Sequence, residues 1–159
     1  MILASLDLNR KNLLESLSNL EDIANSKFSG VEFCLWDDMD DFAQEIKEAM
    51  CGKPMNVHGD LMREGEGLEE CERKLIQGLG FKRKVGADQF ISHPIKPYVG
   101  NIANSIALFG NITDSFLVES VTGISLEQLA LFGRPIALDI GSMIKNDDFE
   151  KGIRMPNVS

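Results

Sequence analysis

Two periods of apolar residues take turns along the chain. Residues 1–8 (MILASLDL) form an apolar run. Residues 9–24 then place Leu13, Leu14, Leu17, Leu20, Ile23 and Ala24 at the three-to-four spacing of one helix face. The exchange repeats. Strand-type runs fall at 31–36 (VEFCLW), 54–59 (PMNVHG), 87–94 (ADQFISHP), 115–119 (SFLVE) and 135–140 (PIALDI). Helix-type spacing falls at 42–50, within 64–79, at 101–109 and at 124–132, and residues 80–86 read as a helix-end region. Ser29-Gly30 and Cys51-Gly52 punctuate the first two helices.

The clearest unit is the last. Ser125 followed by Gln128 is a capping-box start, and Gly133 is a stop, so the helix over 124–132 is bounded at both ends. Two apolar strands joined by such a helix make a right-handed βαβ unit with parallel strands. Strand starts spaced roughly 25 residues apart extend that reading to the whole chain. The predicted fold class is α/β: a TIM-barrel-like parallel sheet of about six strands, incomplete relative to the eight of a closed barrel. The expected organisation is one domain over residues 1–145 and a C-terminal tail over 146–159 that is a short helix at best.

Composition narrows the function classes. The chain has 159 residues, 43% hydrophobic and 26% charged, with a net charge of -9. An acidic chain whose nearest basic cluster is Lys82-Arg83-Lys84, read as a solvated helix end, is a poor nucleic-acid binder, so nucleic acid is not expected as a partner. No apolar run reaches the roughly 18 residues of a membrane helix. Cys34, Cys51 and Cys71 are odd in number and lack metal-type spacing, which points to reduced thiols and a cytoplasmic setting. Neither G-x-G-x-x-G nor G-x-x-x-x-G-K-[ST] occurs, which removes support for a nucleotide-binding fold.

Candidate chemistry stands at the strand ends. Glu32 lies within the second strand; His58, His93, Glu119 and Asp139 close the third, fourth, fifth and sixth. A lone histidine after a strand is commonly a hydrogen-bonded structural residue, and a lone glutamate is often just the first residue of a loop. The chain has only two histidines, however, and both occupy matching positions, in VHG and SHP. In parallel strands these ends share an edge, so His58, His93, Glu119 and Asp139 are predicted to hold one divalent metal: Zn, Mn, Co or Mg. Glu32 reads equally well as an ion-pair partner or a substrate contact. Trp36, Phe33, Lys96 and Tyr98 read as packing or loop surface.

The ordered segments GVEFCLW, NVHGDL, FISHPI, FLVESV and IALDIGS resemble the xylose-isomerase-like TIM barrel superfamily, which includes sugar-phosphate isomerases and epimerases and metal-dependent apurinic/apyrimidinic endonucleases. The resemblance covers about residues 1–145. It implies a divalent metal cofactor held by His58, His93, Glu119 and Asp139, catalytic roles for Glu119 and Glu32, and a sugar or sugar-phosphate substrate. Ser142 stands where the resemblance implies a histidine, and two of the family's eight strands have no counterpart. The expected function is isomerase- or epimerase-like. A non-catalytic shortened barrel acting as a binding or assembly module is one alternative, and a metal-dependent phosphoesterase is another. An open six-stranded sheet has two edges, which predicts a homodimer or higher oligomer.

Overall fold

The structure, a computed structural model, describes residues 3–8, 10–35, 38–59, 67–94, 102–139 and Lys145. Six strands, β1 (Leu3–Leu8), β2 (Gly30–Leu35), β3 (Met55–Gly59), β4 (Gln89–Ser92), β5 (Leu117–Glu119) and β6 (Ile136–Ala137), alternate with five helices. These are α1 (Leu13–Asn25), α2 (Ala43–Ala49), α3 (Leu68–Val85), α4 (Ile102–Asn111) and α5 (Leu126–Ala130). The sheet order is β1-β2-β3-β4-β5-β6, and β1 with β2, β2 with β3, β4 with β5 and β5 with β6 pair in parallel. The α/β, barrel-like class expected from the alternation is the observed one.

Boundaries differ from expectation where local signals compete. Short 3-10 turns, Arg10–Asn12 and Asp40–Phe42, precede α1 and α2, so the acidic start before α2 is a separate tight turn. Helix α3 continues through the predicted helix-end region to Val85, because Phe81 and Val85 extend, at three- and four-residue steps, the buried row that runs through Leu75 and Gly78. Its stop is Gly86, at φ +73°. Strand β6 is only two residues long, and Asp139 lies beyond it. Trp36, Lys96, Tyr98, Ser142 and the tail over 146–159 lie outside the described residues.

The chain divides into two compact units. One comprises Met1–Asp60 with Lys74–Phe90, the other Leu61–Arg73 with Ile91–Ser159. In the first, one face of β1–β3 carries Leu8, Val31, Phe33, Met55 and Val57, all buried; Leu20, Ile46, Leu75, Leu79 and Phe81 are buried on the helices of this unit. Gly30 is required here: a Cβ would lie 2.2 Å from the Pro54 carbonyl oxygen, which accepts the Val31 N–H at 3.0 Å. In the second unit Phe109 packs edge-on against Phe116, with ring centroids 5.2 Å apart, and tilted against Phe132 at 5.4 Å. The capping box of α5 forms as expected, with Ser125 and Gln128 bonded reciprocally.

Each unit ties a helix C-terminus with a cation from just before a later strand. Lys53 Nζ donates to the carbonyls of Ile23, Ser26 and Phe28 at 2.8–3.0 Å, gathering the orphan acceptors at the end of α1. The Arg134 guanidinium donates to Phe109, Ile112 and Asp114 carbonyls at the end of α4 and lies over the Phe116 ring. Among the described residues, no helix is long and apolar enough to cross a membrane.

Candidate functional site: two histidine–carboxylate pairs

Strand alternation sorts the chemistry onto sheet faces. In the first unit the register pairs Ser5 with Glu32 and Asp7 with Cys34, then Glu32 with Asn56 and Cys34 with His58. Because β2 buries Val31 and Phe33 on its other face, Glu32 and Cys34 must share the opposite one. Two successive rows, Ser5–Glu32–Asn56 and Asp7–Cys34–His58, are therefore polar. His58 Nδ1 lies 3.2 Å from Glu32 Oε1, and both side chains are half-buried or better, at 14% and 28% exposed. An ionised Glu32 accepts from Nδ1–H, which fixes the ring and leaves Nε2 as its ligand or proton-accepting atom.

The second unit holds the other pair. His93 follows β4 directly, Glu119 ends β5, and the β4–β5 register, Ile91 with Leu117 and Ser92 with Val118, runs on to bring them side by side. His93 Nε2 and Glu119 Oε2 meet at 2.5 Å, with side chains 26% and 20% exposed. Asp139 is two residues past Ala137, the register partner of Glu119, so alternation assigns it to the same face. Its N–H donates to Ser120 Oγ at 2.8 Å, and Ser120 N–H donates to the Ala137 carbonyl, so buried Ser120 holds the chain beyond β6 against β5. Among the described residues, the Asp139 carboxylate does not join His93 and Glu119 in a common group of ligand atoms.

His58, His93 and Glu119 each offer one atom of a kind that divalent ions take. Imidazole and carboxylate together are of the type that suits Zn, Mn or Co, and the contact of Glu32 with His58 Nδ1 resembles the one that metal-binding histidines make through their second ring nitrogen. Titration is perturbed at Cys34: burial pushes its thiol above the usual range against a lowering hydrogen bond from Ser5, with the Asp7 and Glu32 charges adding to the rise. Clefts of about 470 and 440 Å³ lie elsewhere in the first unit, one lined by Glu21, Glu45 and Glu48, the other by Lys47, Pro54 and Asp88; neither includes a histidine.

Sequence reasoning passed over Ser5, Asp7 and Asn56, because MILASLDL and PMNVHG read as apolar runs. The signal was the strict alternation of polar residues within them. It also passed over Ser120, Lys53 and Arg134, whose roles need a partner distant in sequence.

No family model matches the chain, and no curated protein matches it. Among solved structures it is similar to a dihydrodipicolinate synthase family protein from Coccidioides immitis, with a TM-score of 0.63 at 12% identity; the match covers 99% of this chain and 57% of that one. At that identity the likeness concerns the fold, and the chain spans just over half the neighbour's length. The expected membership of the xylose-isomerase-like superfamily is corrected accordingly: the barrel of this neighbour belongs to a different superfamily. The five segments behind that expectation are short strand-end strings, and polar residues at strand C-termini are common to parallel barrels of many families.

Proposed function

We propose that this chain performs metal-assisted proton transfer beside a carbonyl, an isomerase- or epimerase-type reaction on a small hydroxylated compound in the cytoplasm. The observation that carries the reading is the pairing of each of the chain's two histidines with a carboxylate of a neighbouring strand, His58 with Glu32 and His93 with Glu119. In this reading each pair can offer ligand atoms to a divalent ion, His93 with Glu119 in one unit and His58, backed by Glu32, in the other. Such an ion supplies Lewis-acid polarisation of the substrate oxygens.

The protein's own residues do the rest. Glu119 takes or returns the proton, and His93, in hydrogen-bond contact through Nε2, orients the carboxylate for it. Glu32 acts through His58, keeping Nε2 turned away from its own carboxylate. The free thiols of Cys34, Cys51 and Cys71 fit the cytoplasmic setting.

A lyase-type reading, suggested by the neighbour's family, would use a lysine imine. Among the described residues, the strands end in Leu8, Leu35, Gly59, Ser92, Glu119 and Ala137, and none is a lysine. The test is metal content and turnover together. Purified protein is expected to retain Zn, Mn or Co after dialysis, to lose it on Glu119→Ala, and to exchange a substrate C–H for solvent deuterium. Retention without exchange on any aldose or ketose would move the reading to the binding module, and a metal-indifferent protein would overturn it.

A further inference from the structure

Helices α1 and α2 pack side by side in the first unit. Each follows one strand of a parallel pair and precedes the next, so both point their C-terminal, partly negative ends the same way. Where they meet lies the cleft of about 470 Å³, lined by Leu17 and Glu21 from α1 and by Glu45, Glu48 and Ala49 from α2. Two features set it apart from an ordinary seam between helices. The first is charge. Three of its lining residues are carboxylates, and none is lysine or arginine. Glu45 and Glu48 stand three residues apart on a seven-residue helix, a like-charge pair that weakens it, and Glu48 lies in the last turn, where the helix dipole disfavours an anion. Helix α1 has no basic residue in its last turn. Lys47 and Lys53 line the neighbouring cleft, and Lys53 is engaged by the carbonyls at the end of α1. The second feature is an apolar stripe. Leu17 and Ala49 are half-buried at the cleft, and Leu14, three residues before Leu17 on the same face of α1, is 84% exposed. From Leu14 to Asn25, stripe and cleft together run about 16 Å, or three helical turns.

We infer that this groove docks a basic amphipathic helix of another protein, its aliphatic residues on Leu14 and Leu17 and its lysines or arginines against Glu21, Glu45 and Glu48. Charge complementarity selects the class of partner. A groove lined by carboxylates repels acidic segments, nucleic acid and anionic lipid. A purely apolar segment would strip water from three carboxylates and give nothing in its place. A helix carrying both kinds of side chain at three- and four-residue spacing covers Leu14 and meets the carboxylates at once. The inference does not draw on the metal chemistry proposed above, since none of these residues belongs to it.

The probe is a fluorescein-labelled synthetic peptide, KLLKALKKLLKA, titrated into the full chain and followed by anisotropy. It is expected to bind, and the same residues in scrambled order to bind about tenfold more weakly. Glu45→Gln with Glu48→Gln should weaken the peptide about tenfold, and Leu14→Ala should do the same. All three residues are exposed, and thermal unfolding followed by circular dichroism verifies that the variants fold. Glu69→Gln with Glu72→Gln removes the same charge from exposed positions of α3 and should leave binding within about twofold. Equal weakening by the α3 pair, or equal binding of the scrambled peptide, would mean attraction by the net charge of -9 alone and overturns the inference. Absence of peptide binding at low salt overturns it too. If light scattering shows a dimer that Leu14→Ala dissociates, a second copy of the chain occupies the groove and the inference fails.

Discussion

Glu32 and Cys34 sit two residues apart on one strand and show how a face assigns different tasks to adjacent groups. Glu32 reaches His58, one strand over and 26 residues on, at 3.2 Å. Replacing it with glutamine keeps the shape but removes the charge that steadies Nδ1–H. Divalent-ion affinity in E32Q is expected to fall by about 10–100-fold, with melting temperature nearly unchanged, as read by ion titration and thermal unfolding. A large drop in melting temperature with affinity intact would make Glu32 a purely structural ion-pair residue. Cys34 carries a thiol raised by burial, countered by Ser5 and raised further by Asp7 and Glu32. A group whose folded pKa is raised contributes stability that is fully present below its unfolded value and lost as pH rises through the folded one. Stability should therefore decline on the alkaline side, and C34A should flatten that decline in pH-dependent denaturation curves. At neutral pH a disulfide reagent should modify exposed Cys51 well before Cys34. Both histidines and Glu119 were legible in the sequence because βα periodicity puts them at equivalent strand ends. Their carboxylate partnerships were not, since each joins residues on neighbouring strands.

Elements were legible in proportion to their punctuation. Helix α5 carries a capping box and Gly133 at φ +62°, and its sequence and structure agree within two residues at each end. S125A should cost about 1 kcal/mol of stability. G30A should cost more, roughly 1–3 kcal/mol or a failure to fold, because the added methyl meets a backbone carbonyl that cannot swing aside. Chemical denaturation of both variants checks the order; a neutral G30A would mean that β2 and the Pro54 turn readjust freely. Helix α3 was read six residues short. Its glycines, Gly78 and Gly80, look like breakers, yet a Cβ at Gly78 would lie 2.5 Å from the Phe90 ring, so this glycine is there for close packing and not for a turn. Strand β6 was read too long, because an apolar run continues past the point where Ser120 replaces the ladder with a side-chain bond.

At the level of the whole molecule, alternation and strand order were legible, since parallel strands with helical crossovers admit few arrangements. Family was not, because the segments that suggested one are short and shared by shape. Strands β1 and β6 terminate the sheet order, and we propose that copies associate along these edges. Light scattering should then give twice the 17.6 kDa of one chain or more, and a monomer would mean that the edges are covered from within. The two cationic ties have a kinetic side. Lys53 reaches back 25–30 residues to the end of α1, and Arg134 reaches back 20–25 to the end of α4. Each closes a short loop within a three-strand module, so neither half must wait for a distant segment before it locks. K53M and R134M should slow refolding measured by stopped-flow fluorescence more than they speed unfolding. If only unfolding accelerates, the ties form after the barrier, and the modules are latched late instead of nucleated early.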